Sequence, residues 1–170
     1  GSWSDEKKFN ARIARVDVGG RRVLLCQPQT YMNLSGEAVG ALAGFYKIAL
    51  DQLLVIVDDV NLPFGELRLR PSGGNGGHHG LESIELHMAG NGFARQRIGI
   101  GRPAHGGGKL TGHVLGAFEE SEADAVGEML ASAANQAESW LSEGVQKAMN
   151  NFNGSVIPPT EQNEETEEKE

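Results

Sequence analysis

A chain of 170 residues is one domain's worth of sequence, long enough to bury a core without metals or disulfides. No apolar run approaches a membrane span, no signal-peptide pattern opens the chain, and one cysteine excludes an internal disulfide, which points to a reducing cytoplasm. The net charge of −8 divides unevenly: residues 155–170 carry −5 and the body −3, so a local basic patch for a polyanion is not excluded.

In chain order, residues 13–18 and 22–27 flank Gly19-Gly20 and predict a β-hairpin. Cys26 lies in the second of these runs and reads as a small core hydrophobe. Ser35 is placed to cap a helix whose apolar face is Val39, Leu42, Ala43 and Tyr46. Residues 53–57 are continuously apolar, the pattern of a strand covered on both faces, whereas 66–70 alternate and suggest a strand nearer the edge. Five glycines within 71–80 argue against regular structure there. Residues 81–88 then predict a short helix and 94–101 another strand. Ser121, with Asp124 three residues on, opens the longest expected helix. Its stripe of Val126, Met129, Leu130, Ala133, Ala137, Trp140 and Leu141 has helical spacing and reads as core rather than as a cofactor site. A last helix is expected over 145–152. The stretch 155–170, with Pro158-Pro159 and six glutamates, has nothing to bury and reads as a disordered acidic tail. Residues 1–154 are expected to form a three-layer α/β/α domain with a mixed, mainly parallel central sheet.

Polar segments close the hydrophobic runs, at 27–33, 58–63, 73–80 and 97–103. In open α/β sheets, ligands bind beyond the carboxyl ends of the strands, so these segments form a candidate site rim. Asp58 directly follows an apolar strand. It can orient a histidine and stabilise its imidazolium, or simply cap the turn before Pro63; Asp59 reads as structural. Asn33 offers both a donor and an acceptor at a strand-to-helix turn, and an N-cap is its alternative role. Tyr31 fits substrate contact or packing. His79 fits substrate binding, a solvated loop or a substitute base. The glycine loop lacks the ending of a P-loop and the spacing of a dinucleotide fingerprint. It reads as a close-approach surface or a lid. Arg68 and Arg70 share one strand face, Arg95 and Arg97 repeat the spacing, and Arg102 follows; they suit phosphate contacts or ordinary solvated charge. A zinc site lacks a spaced histidine–carboxylate set.

The stretches PQTYMNLSG, VIVDDVNLPFG, GGNGGHHGLESI and RIGIGRP resemble, in order and spacing, bacterial-type peptidyl-tRNA hydrolase, from about Lys8 to Phe152. The resemblance implies a phosphorylase/hydrolase-like fold and hydrolysis of the ester between peptide and tRNA, without metal or cofactor, by a cytoplasmic monomer. It implies that Asp58 and Asn33 are catalytic, that Tyr31, Asn33 and His79 bind substrate, and that Arg68, Arg70 and Arg97 meet the tRNA. His79 stands where many members have asparagine. The family's opening strand, its GNPG-type loop and the TRHN-type segment with the catalytic histidine find no match here. A truncated, poorly active domain with exposed apolar surface is therefore expected. The alternative is a non-catalytic RNA-binding relative.

Overall fold

The structure, a computed structural model, describes residues 1–102 and 110–157. The expected tail lies outside them except for its first three residues. Strands β1 (Trp3–Glu6), β2 (Ala11–Val18) and β3 (Arg21–Pro28) form an antiparallel three-stranded sheet with β2 in the centre. The hairpin turn is made by Gly19 and Gly20, both with positive φ (58° and 79°), and the Gly20 N–H donates to Asp17 Oδ1 at 2.9 Å. Positive φ at both central residues suits the strand twist and costs glycine little.

A second sheet runs in the order β4 (Leu54–Asp59), β6 (Ala94–Gly99), β5 (Glu66–Arg70), β7 (Gly154–Ser155). It is mixed, as expected, but only β4 and β6 are parallel; the pairs β5–β6 and β5–β7 are antiparallel. The expectation of a mainly parallel sheet is therefore corrected for the described strands. The link between β4 and β5 is too short for a crossover and reverses the chain. Helix α2 (His79–His87) then carries it back, so that β6 lies between the two strands, parallel to β4 and antiparallel to β5.

Helices cover both faces of this sheet. Leu81 and Ile84 of α2, with Val39 of α1 (Ser35–Tyr46), pack on Val55, Val57 and Phe93. On the other face, Met129, Ala133 and Trp140 of α4 (Ala123–Glu143) and Ala148 of α5 (Val145–Phe152) cover Leu67, Leu69, Ala94 and Ile98. A short α3 (Leu110–Leu115) precedes α4. The layers are those of an α/β/α domain. Helices α1 and α2 cross closely at Gly36, where a Cβ would overlap the Ser83 carbonyl; the Gly36 N–H donates instead to Ser83 Oγ at 2.9 Å. That bond from the neighbouring helix serves the start of α1. Ser35, expected to cap it, turns its hydroxyl onto the Met32 carbonyl (2.8 Å).

Strand β4 departs from the expectation of cover on both faces. Val55 and Val57 are covered by α2, but Ile56 remains 53% exposed. Among the described residues the outer edges of β3 and β4 have no strand partner. A largely apolar cavity of about 820 Å³, lined in part by Leu25, Leu54, Ile56, Leu130 and Trp140, lies beside them.

A buried polar chain ties β6, α4, α5 and β5 together. Gln96 Nε2 donates to the Ala133 carbonyl (2.8 Å) and to Gln136 Oε1 (2.9 Å), and Gln136 Nε2 donates to Asn153 Oδ1 (3.0 Å). Asn153 in turn accepts from the Leu69 N–H (2.7 Å) and donates to the Leu69 carbonyl (3.1 Å), so that its amide imitates one residue of a neighbouring strand. Replacing Asn153→Ala leaves the Leu69 N–H and carbonyl without this partner and leaves Gln136 Nε2 only its bond to the Ala148 carbonyl (3.2 Å). It is expected to lower stability by about 2–3 kcal/mol, seen as a lower urea midpoint with an unchanged m-value.

Candidate active site

Alternation along the second sheet sets the site's chemistry. Val55, Val57 and Asp59 share the face toward α2, whereas Asp58 points the other way at the carboxyl end of β4. In register, Arg68 lies opposite Arg97 and Arg70 opposite Arg95, so four guanidinium-bearing residues occupy the α2-side face. Like charges placed directly opposite one another destabilise a sheet unless they are matched.

The match is supplied by acids and by the glycine loop. Arg97 Nη1 meets Asp59 Oδ2 at 2.9 Å, and its other nitrogen donates to the Gly74 (3.3 Å) and Asn75 (2.9 Å) carbonyls. Asp59, 8% exposed, also accepts the Asn61 N–H at 2.8 Å. Arg95 is only 2% exposed. It bonds Glu85 (3.1 Å), the carbonyls of Gly73, Gly74 and Asn91, and lies 4.4 Å from the Phe93 ring centroid. Asn75 closes the arrangement, donating to Glu85 Oε2 (3.1 Å) and accepting the Gly77 N–H (2.9 Å). The loop is anchored at 73–75, so of its two expected roles a fixed close-approach surface describes this stretch better than a lid.

A cavity of about 250 Å³ opens where the loop meets the end of β4. Met32, Asp58, Gly76, His78, Arg97 and Val114 contribute to its walls, and His79 reaches its rim. Among the described residues the Asp58 carboxylate has no ion pair or hydrogen bond, and it borders both this cavity and the larger apolar one. Asp59, by contrast, is spent on Arg97, which agrees with its structural reading. The His79 side chain is 75% exposed, with Nδ1 3.4 Å from Glu82 Oε2.

Asn33 sits on a 3₁₀ turn (Met32–Leu34) that packs against α2; it is exposed and lies outside the cavity lining, whereas its neighbour Met32 is within it. Tyr31 is 82% exposed beside it. Asp58, His79 and Arg97 therefore share one cavity, and Asn33 and Tyr31 stand on an adjoining ledge. Arg68 pairs with Glu66 at 2.9 Å, Arg70 is exposed without an ion pair among the described residues, and Arg102 donates to Asn61 Oδ1 at 2.6 Å. Pro103, at the end of the last motif, lies outside the described residues.

Sequence reasoning passed over His78. It is the N-cap of α2, its Nδ1 accepting from the Gly80 (3.1 Å) and Leu81 (3.2 Å) N–H groups. The signal was the position immediately before an apolar-periodic run, but caps are recognised by Ser, Thr, Asp or Asn. Burial pushes the His78 pKa down, Arg97 adds to that, and Asp58 and Asp59 oppose it. With the folded value below the ordinary one of about 6.5, the unfolded chain binds the proton more readily, and the folded state loses stability as pH falls. Stability from this group is full above about pH 6.5 and declines as pH drops through the lowered folded value. His78→Asn retains a cap acceptor that does not titrate. Urea midpoints measured between about pH 5 and 7 are expected to vary less with pH in this variant than in the parent chain.

Among the described residues no cluster of three or more His, Cys, Asp or Glu could hold a metal ion, and no helix is long and apolar enough to cross a membrane. The family model described as peptidyl-tRNA hydrolase matches residues 1–163. The peptidyl-tRNA hydrolase of Desulforamulus reducens is 43% identical over 150 residues, covering 88% of this chain and 71% of that protein. That of Geobacillus kaustophilus is 46% identical over 146 residues, covering 86% and 78%. The crystal structure of peptidyl-tRNA hydrolase from Acinetobacter baumannii superposes with a TM-score of 0.80 at 34% identity, covering 92% of this chain and 79% of that one. By both sequence and fold, the chain belongs to the peptidyl-tRNA hydrolase family.

Proposed function

We propose that this protein hydrolyses the ester joining a peptide's C-terminus to the ribose of tRNA, which frees tRNA from stalled translation. The observation that carries the reading is Asp58, a carboxylate at a strand's carboxyl end without a partner among the described residues, in the wall of a cavity roofed by an anchored glycine loop. An ester is already an activated acyl donor, so the reaction needs an oriented base, a held water and donors for the developing oxyanion. In this reading Asp58 is the carboxylate placed to orient a histidine base, which the family carries in its TRHN-type segment, and to stabilise its protonated form. Asn33, on its ledge, holds substrate and water through its amide, with Tyr31 beside it; His79 binds substrate from the rim. Met32 and Val114 give the cavity an apolar side suited to a peptide.

The tRNA lies along the α2-side face of β5, where Arg68 and Arg70 contact phosphates, with Arg97 beside them in the cavity wall. The same reading makes 1–154 the working domain and the protein a cytoplasmic monomer.

Asp58→Asn tests the catalytic role. On peptidyl-tRNA, kcat is expected to fall by about 10²-fold or more with a smaller change in KM. A variant that turns over at the parent rate refutes the assignment, and a parent chain that binds tRNA without cleaving the ester supports the RNA-binding alternative. Arg68→Ala with Arg70→Ala should weaken tRNA binding and flatten the plot of log affinity against log salt by about one to two units.

A further inference from the structure

His78 stands in the cavity wall with Asp58, yet none of the roles above uses it. Its ring is fixed from two sides. Nδ1 accepts the Gly80 and Leu81 N–H groups at 3.1 and 3.2 Å. A Cβ at position 80 would stand 2.9 Å from His78 Cε1 and 2.6 Å from Met32 Sδ, so the missing side chain lets the ring lie against the start of α2. An imidazole nitrogen that accepts two N–H bonds carries no proton. The neutral ring must hold its proton on Nε2. The helix N-terminus, with its partial positive charge, further opposes an imidazolium. Among the described residues Nε2 has no hydrogen-bond partner, whereas the Asn75 side chain and carbonyl in the same loop are paired to their surroundings.

We infer that His78 is a neutral hydrogen-bond donor to the substrate, its Nε2–H meeting the carbonyl oxygen of the ester under attack. This rests on the ester-cleaving reading and adds a residue to it. No proton is transferred at the ring. As the water oxygen bonds to the carbonyl carbon, the C=O electron pair moves onto oxygen and the Nε2–H bond to it strengthens. When the pair returns, the bond to the ribose oxygen breaks, and the proton lost by the water ends on that oxygen. A donor fixed before substrate arrives needs no reorganisation as charge develops, and for that reason such groups accelerate acyl transfer. The cap thus does two things: it starts the helix and it dictates which nitrogen faces the site.

Two measurements on the full chain decide the matter. Nitrogen-15 NMR of the histidine rings at neutral pH is expected to find His78 uncharged, with Nδ1 bare and Nε2 protonated. Its Nε2–H signal is expected to shift when a non-hydrolysable, amide-linked peptidyl-adenosine is added. His78→Ser keeps a short oxygen for the cap but cannot reach the carbonyl. It is expected to melt close to the parent chain while kcat on peptidyl-tRNA falls about 10²-fold and KM changes little. Should that variant not fold, His78→Asp, a strong cap without a donor, takes its place. A proton on Nδ1, a charged ring at neutral pH, or a folded variant with the parent kcat overturns the inference. If the parent chain does not cleave the ester at all, the functional reading falls, and the absence of an analogue-induced shift at Nε2 then removes the donor role as well.

Discussion

Four arginines stand on one face of the central sheet, Arg68 opposite Arg97 and Arg70 opposite Arg95, and the site is organised by the way half of that charge is neutralised. Arg95 is almost wholly buried and Arg97 nearly so; burying a guanidinium without partners costs several kcal/mol or more, so each must find acceptors in fixed places. Glu85 and Asp59 provide the charge. The carbonyls at 73–75 provide the remaining acceptors, and in doing so they fasten a five-glycine loop that has no regular structure of its own over most of its length. Position of loop, start of α2 and orientation of His78 all follow from that anchoring. The outer pair remains exposed, Arg68 paired with Glu66 and Arg70 without an ion pair among the described residues.

The opposite face of the sheet supports the site in a different way. Leu67, Leu69 and Ile98 bury against α4 and α5, and the chain of Gln96, Gln136 and Asn153 fixes those helices relative to β5 and β6. Buried amides of this kind are unforgiving because every unpaired group is expensive, which makes the register between strand and helix unique. Gln96 Oε1 is an exception, buried without a partner. The parallel pairing of β4 with β6 carries this rigidity to Asp58, one residue before the strand ends.

Asp58 and Asp59 illustrate how one strand gives two adjacent carboxylates different surroundings. Because successive side chains alternate faces, Asp59 falls among the arginines and is consumed by Arg97, while Asp58 faces away and has no partner among the described residues, between two cavities. An ion-paired carboxylate is a poor partner for a base, and an unpaired one beside a cleft is a good one. The same geometry leaves Ile56 open, and among the described residues the outer edge of β4 has no strand partner.

Much of this was legible in the amino-acid sequence. The 19–20 hairpin, the last two helices, the strand ending at the aspartates and the family itself followed from turn chemistry, periodicity and ordered motifs, because these are local properties of the chain. That Asp58 and Asp59 face opposite ways follows from strand alternation alone. What the sequence could not show were relations between distant segments. Whether Arg95 and Arg97 were solvated or buried depended on the loop folding over them. Whether Ser35 or Ser83 served the start of α1 depended on a helix crossing allowed by Gly36. The direction of β5 relative to its neighbours depended on a short reversal followed by a return through α2. His78 was missed for the same reason: a histidine becomes a cap, and acquires a fixed tautomer, only when the backbone N–H groups of a particular helix are brought to its ring.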